Sequence, residues 1–189
     1  MTRTMWVGCV MAVCVAAGLC AADEVKHPMP QPQKEHQWLQ QIVGEWTAEG
    51  ECAAQPSADA TAPPAKFKGT ESGRLVGGFW AVLENKGEFM GAPFTGILTL
   101  GYDPETKKYV GTWVDSMTPR LWHYEGTVDA TGKVLTLQSE GPCPKEPGKI
   151  LKFRETIELK GKDHKVFTSM IEQDGKWTPL MTIQYRRKA

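Results

Sequence analysis

The chain has 189 residues, with 22 Lys+Arg against 22 Asp+Glu. That length suits one domain able to bury a real core. The balanced charge offers no basic excess for nucleic acid or an anionic membrane surface, so both are excluded as expected partners.

The N-terminus reads as an export signal. Arg3 supplies a positive start, Met5 to Leu19 is an unbroken run of apolar and small residues, and Cys20 and Ala22 fit the −3 and −1 positions of a cleavage site. The apolar run is short for a bilayer, which needs about 20 residues, so cleavage is preferred to a membrane anchor. Lipidation of Cys20 is disfavoured by the preceding Leu19. Residues 1–22 are therefore expected to be a signal peptide, the mature protein periplasmic or secreted, and no membrane span to remain. Its loss removes Arg3 and leaves 21 Lys+Arg against 22 Asp+Glu. It also leaves two cysteines, Cys52 and Cys143. In an oxidising compartment an even number predicts a disulfide, which here would close a long loop and contribute about 4–5 kcal/mol in the chain-entropy model. Two free buried thiols are the alternative.

Residues 23–35, with Pro28, Pro30 and Pro32, read as a flexible leader, and 36–189 as a single domain. Trp38, Leu39, Ile42 and Val43 form one stripe of a short helix that Gly44 ends. Two turns are too few to be stable alone, so the stripe must dock. From there the apolar period becomes two. Strands are predicted near 45–52, 66–76, 79–86, 94–102, 108–116, 120–129, 133–140, 149–160, 164–173 and 177–187. Gly77-Gly78, Asp103-Pro104, Thr118-Pro119, Thr131-Gly132, Gly161-Lys162 and Asp174-Gly175 supply turn chemistry between them. An up-and-down meander of ten strands exposes two edges unless it curls shut. The expected fold is thus all-β, a closed antiparallel barrel with a short N-terminal helix; a two-sheet sandwich is the alternative.

The helix followed by Gly44-Glu45-Trp46 resembles the entrance of lipocalin-like (calycin) barrels. In those barrels the Trp packs across one end under an Arg from the last strand. The resemblance implies structural roles for Gly44, Trp46 and Arg186, with Arg187 the other choice. A longer resemblance runs through Gly77-Gly78-Phe79-Trp80, Leu100-Gly101-Tyr102-Asp103-Pro104, Tyr109 to Met117 and Tyr185-Arg186-Arg187. On it the chain is identified as a member of the bacterial exported proteins called domain of unknown function 1579. That resemblance implies fold and compartment and no activity. Haem barrels of similar shape open with Gly-x-Trp-x-Gly-x-Gly; Ala48 breaks that pattern here, and no cofactor is expected.

No zinc spacing, phosphate loop or nucleotide fingerprint occurs, and His27, His36, His123 and His164 form no ligating pair. Ser116 lacks a Gly-x-Ser-x-Gly elbow, and Asp115 beside it points to the opposite strand face. No catalytic or metal-binding residue is therefore assigned. Glu155 is the oddity: it shares the face of Leu151, Phe153, Ile157 and Leu159, and an ionised carboxylate there is costly unless paired. It either pairs with an inward Arg such as Arg74 or meets a ligand. Candidate ligand contacts are Arg74, Trp113, Asp115, His123 and Glu155. Three functions follow, in order of preference: a barrel that binds or carries a small apolar or amphipathic molecule, an interaction barrel with a filled interior, or an enzyme using barrel carboxylates.

Overall fold

A computed structural model of the chain describes residues 29–52, 64–89, 91–143 and 148–189; the expected signal peptide, 1–22, and the first part of the expected leader lie outside the described residues. One turn of α-helix, α1 (Lys34–Trp38), continues as a 3-10 turn (Leu39–Gln41). Ten strands follow: β1 (Gly44–Cys52), β2 (Ala65–Val76), β3 (Trp80–Phe89), β4 (Ala92–Asp103), β5 (Lys108–Asp115), β6 (Trp122–Val128), β7 (Val134–Pro142), β8 (Ile150–Gly161), β9 (His164–Gln173) and β10 (Lys176–Arg187).

Each strand pairs antiparallel with its neighbour in sequence, and β10 returns to β1, so the sheet is a closed barrel. The closing seam runs from Trp46 opposite Arg187 to Cys52 opposite Met181. Closure satisfies the backbone N–H and C=O groups that two free edges would leave open. The turns behave as their residues dictate. Asp174 and Gly175 both take positive φ, 51° and 75°, the backbone of a two-residue hairpin matched to strand twist. Pro179 cannot donate to the ladder, and the β9–β10 register shifts between Pro179 and Met181.

The helical stripe docks on one end of the barrel. Trp38, Leu39 and Ile42 are buried with Ala81, Leu83, Leu100, Tyr109, Leu135 and Leu137, each large apolar side chain contributing about 1.5–3 kcal/mol on burial. Two bonds fix the helix there: Trp38 Nε1 donates to Gly132 O at 2.8 Å and Tyr109 OH to Glu35 O at 2.9 Å. The helix starts at Lys34, inside what the sequence suggested was leader. Gln33 N–H donates to His36 Nδ1 at 3.0 Å, a local cap to which hydrophobic periodicity is blind.

The expected disulfide is not formed; Cys52 and Cys143 are free thiols. Cys52 ends β1 and Cys143 follows β7, with β10, β9 and β8 between them around the wall. Four strand spacings of about 4.8 Å separate the two positions, whereas a disulfide needs Cα atoms within about 7 Å.

Candidate functional site

Period-two alternation aims one face of every strand inward. Around the middle of the barrel these faces do not meet, and they leave a cavity of about 300 Å3. The cavity lies above the helix-capped end and extends toward the opposite one, where Phe67, Phe89, Phe94, Trp113, Met117 and Met181 line it. Aromatic contacts give this wall its shape. Phe94 and Trp113 stack with centroids 6.2 Å apart, and Phe67 meets Phe89 edge-on at 5.7 Å. Trp113 lies against Gly96, where any Cβ would collide with the indole, so that glycine lets the ring lie flat on β4.

The polar groups gather deeper. Lys165 and Glu71, with side chains 2% and 5% exposed, form an ion pair at 2.5 Å. Lys165 Nζ also donates to Ile42 O at 2.7 Å and stands 4.5 Å from the Trp46 ring centre and 5.0 Å from that of Tyr185. Burial pushes its ammonium below the usual lysine range, opposed by Glu71. Tyr185 OH donates to Asn85 Oδ1 at 3.1 Å.

Glu155 sits beside this cluster. Its carboxyl is enclosed by the wall yet faces the cavity, and desolvation pushes its pKa up to about 7, although the Tyr124 and Ser169 hydroxyls donate to it and pull the other way. Asp115 is nearer the wall's aromatic part. Its Oδ2 accepts from Trp113 Nε1 at 2.9 Å, and its Oδ1 accepts from the backbone N–H of Met117 and Thr118 at 2.8 and 2.9 Å.

Of the residues singled out by sequence, Trp113, Asp115 and Glu155 thus converge on one cavity. Arg74 and His123 do not. Both fall at outward, exposed positions of their strands: Arg74 lies between the inward Gly73 and Leu75, and His123 between Trp122 and Tyr124. His123 contributes instead to an outer depression with Trp80, Arg120 and Leu121. Glu155 therefore has no arginine partner from β2; its neighbours are hydroxyls. The inward charged residue of β2 is Glu71, and its partner Lys165 comes from β9. Sequence reasoning overlooked this pair. Its signal was present, since Glu71 shares the face of Phe67, Gly69 and Leu75, and Lys165 that of Phe167 and Ile171.

The end-capping residues need one correction. Gly44 and Trp46 occupy the expected places, but the cation over Trp46 is Arg187, 4.0 Å from the ring centre. Arg186 points outward and is exposed. The inward set of β10 is Ile183, Tyr185, Arg187, and alternation excludes Arg186. Arg187 also donates to Val43 O at 2.9 Å and Gln41 O at 3.2 Å. With Lys165 on Ile42 O, three successive carbonyls at the end of the helical segment are met by cations. Gly44 has φ 111°, and a Cβ there would strike the Arg187 guanidinium, so only glycine lets that side chain pass.

Among the described residues, no helix is long and apolar enough to cross a membrane, and no three His, Cys, Asp or Glu side chains gather as a metal site. Curated protein sequences give no match. Among solved structures, Rv2717c from M. tuberculosis is similar with a TM-score of 0.57 at 14% identity, covering 84% of this chain and 100% of that one; the likeness is one of fold. A redesigned β-barrel, b11L5F_LGL, aligns with a TM-score of 0.42 at 11% identity, covering 80% of this chain and 95% of that one. The family model described as "Protein of unknown function (DUF1579)" matches residues 31–187, and with that span, the whole barrel and its helical cap, the chain belongs to the DUF1579 family.

Proposed function

We propose that this chain is a small-molecule-binding barrel, holding one apolar or amphipathic ligand inside the wall and working outside the cytoplasm after loss of residues 1–22. The cavity of about 300 Å3 carries the reading. It reaches the size range of small-ligand pockets, and its lining is mostly aromatic and aliphatic with a few convergent polar groups. A barrel filled by its own side chains would leave no such space. The catalytic alternative has less support, because Lys165 is committed to Glu71 and Ile42. The basic start at Arg3 and the apolar run to Leu19 support export.

Neutral N-phenyl-1-naphthylamine tests the binding half. Its emission is expected to rise and shift blue on titration with protein. Ala48→Leu, which adds bulk at a position lining the cavity, is expected to remove that response at unchanged secondary structure. No response from the parent protein, or an equal one from Ala48→Leu, refutes an internal site. N-terminal sequencing of protein recovered from its producing cells tests export: a chain starting at Asp23 is expected, and one retaining residues 1–22 refutes it.

A further inference from the structure

The charges facing the cavity do not balance. Lys165 and Glu71 neutralise each other at 2.5 Å. Lys68 and Lys86, which also border the cavity, are engaged at exposed positions by Glu49 and Glu84 at 2.7 and 2.9 Å. Of the other carboxylates bordering it, Glu88 is exposed, whereas Glu155 and Asp115 are held by neutral donors: the Tyr124 and Ser169 hydroxyls for the first, the Trp113 indole, the Thr118 hydroxyl and two backbone N–H groups for the second. The groups turned toward Glu155 from the surrounding strands are Tyr124 of β6, Ser169 and Lys165 of β9, Tyr185 of β10 and Glu71 of β2, while β7 opposes it with Leu137. The only cation in that set already has its anion.

Resting on the cavity reading above, we propose that the ligand is a primary amine with an apolar tail, its ammonium seated against Glu155 and its tail along Phe94 and Trp113. A buried carboxylate without a cation is costly, and an ammonium in the cavity supplies the missing charge. The rings of Tyr124 and Trp113 add a surface that attracts cations more than neutral groups. A fatty-acid carboxylate brings a further negative charge beside Glu155 and is disfavoured by the same geometry. No bond is made or broken; selection is electrostatic.

Calorimetric titration at pH 8 with octylamine, octanol and octanoate separates the possibilities, since the three share one tail. Expected is binding in the order amine, alcohol, carboxylate, with about tenfold or more between the first and last, a difference that one partly screened charge contact readily supplies. The amine preference is expected to shrink below pH 7, where Glu155 is protonated. Glu155→Gln should bring the amine-to-alcohol ratio close to one, whereas Asp115→Asn should leave most of it. If octanol and octanoate bind as well as the amine, or if the preference follows Asp115 rather than Glu155, the amine assignment is overturned while the cavity reading stands. If none of the three binds, both fall.

Discussion

Replacing Glu71 with leucine isolates the physics at the bottom of the cavity. The change removes the carboxylate bonded to Lys165 and leaves its ammonium among Trp46, Tyr185 and the Ile42 carbonyl. Breaking a buried ion pair on one side costs about 3–5 kcal/mol. A second route to the magnitude agrees. The orphaned lysine can escape by giving up its proton, and doing so at pH 7 from an ordinary value of 10.5 costs about 5 kcal/mol at 1.36 kcal/mol per unit. That sets a ceiling, so a loss of about 3–5 kcal/mol is expected, a fall in Tm of roughly 6–20 °C for a chain of this length. Urea unfolding followed by tryptophan emission measures it. Its pH dependence carries a sign. In the variant, the folded state holds fewer protons than the unfolded state between the depressed pKa of Lys165 and about 10.5, so stability should rise with pH from 7 toward 10. The double change Glu71→Leu with Lys165→Met removes both charges and should recover most of the loss. A single variant losing under about 1 kcal/mol, or a double variant as unstable as the single, would refute the reasoning.

Two further outcomes follow from the same structure. Glu155 keeps its proton to about pH 7 when folded and loses it near 4.5 when unfolded, so the folded state binds the extra proton between those values and stability declines as pH rises through that window. Glu155→Gln should therefore resemble the parent near pH 4.5 and exceed it at pH 8 by up to about 3 kcal/mol, read from urea midpoints at both pH values; equal midpoints at pH 8 would count against a desolvated carboxyl. At the capped end, Arg187→Ala removes the Trp46 contact and three charged hydrogen bonds, to Gln41, Val43 and Lys162 carbonyls, and should cost about 2–4 kcal/mol, whereas Arg186→Ala should stay within about 0.5 kcal/mol. Comparable losses from the two would contradict the assignment of the covering cation to Arg187.

Much of the architecture was legible in the chain because it is written in local patterns. The switch from a helical stripe at Trp38–Val43 to a period of two needs only consecutive residues to be seen, as does the turn chemistry at Asp174-Gly175. Ten strands without a long crossover then leave closure as the economical way to satisfy both edges. Parity along a single strand put Glu155 on the apolar face of β8 with Leu151, Phe153, Ile157 and Leu159. Parity also explains the errors. Arg74 and His123 lie off the face their apolar neighbours share, and of Arg186 and Arg187 only the second keeps the alternation of Ile183 and Tyr185.

Other features were decided by tertiary structure alone. Lys165 meets Glu71 across 94 positions of sequence, and it reaches Ile42 only because the helix docks at that end of the barrel. Cys52 and Cys143 share an even count that invites pairing, yet their strands are placed by closure on distant parts of the wall. The cavity is of the same kind: its space depends on ten inward faces meeting at once, and no single strand records how far its opposite stands. The sequence by itself determined which residues share a strand face, because alternation is a property of one strand; which face turns inward waited on the closed barrel. Which of them touch, and what volume is left between them, is set by the curvature of the whole sheet.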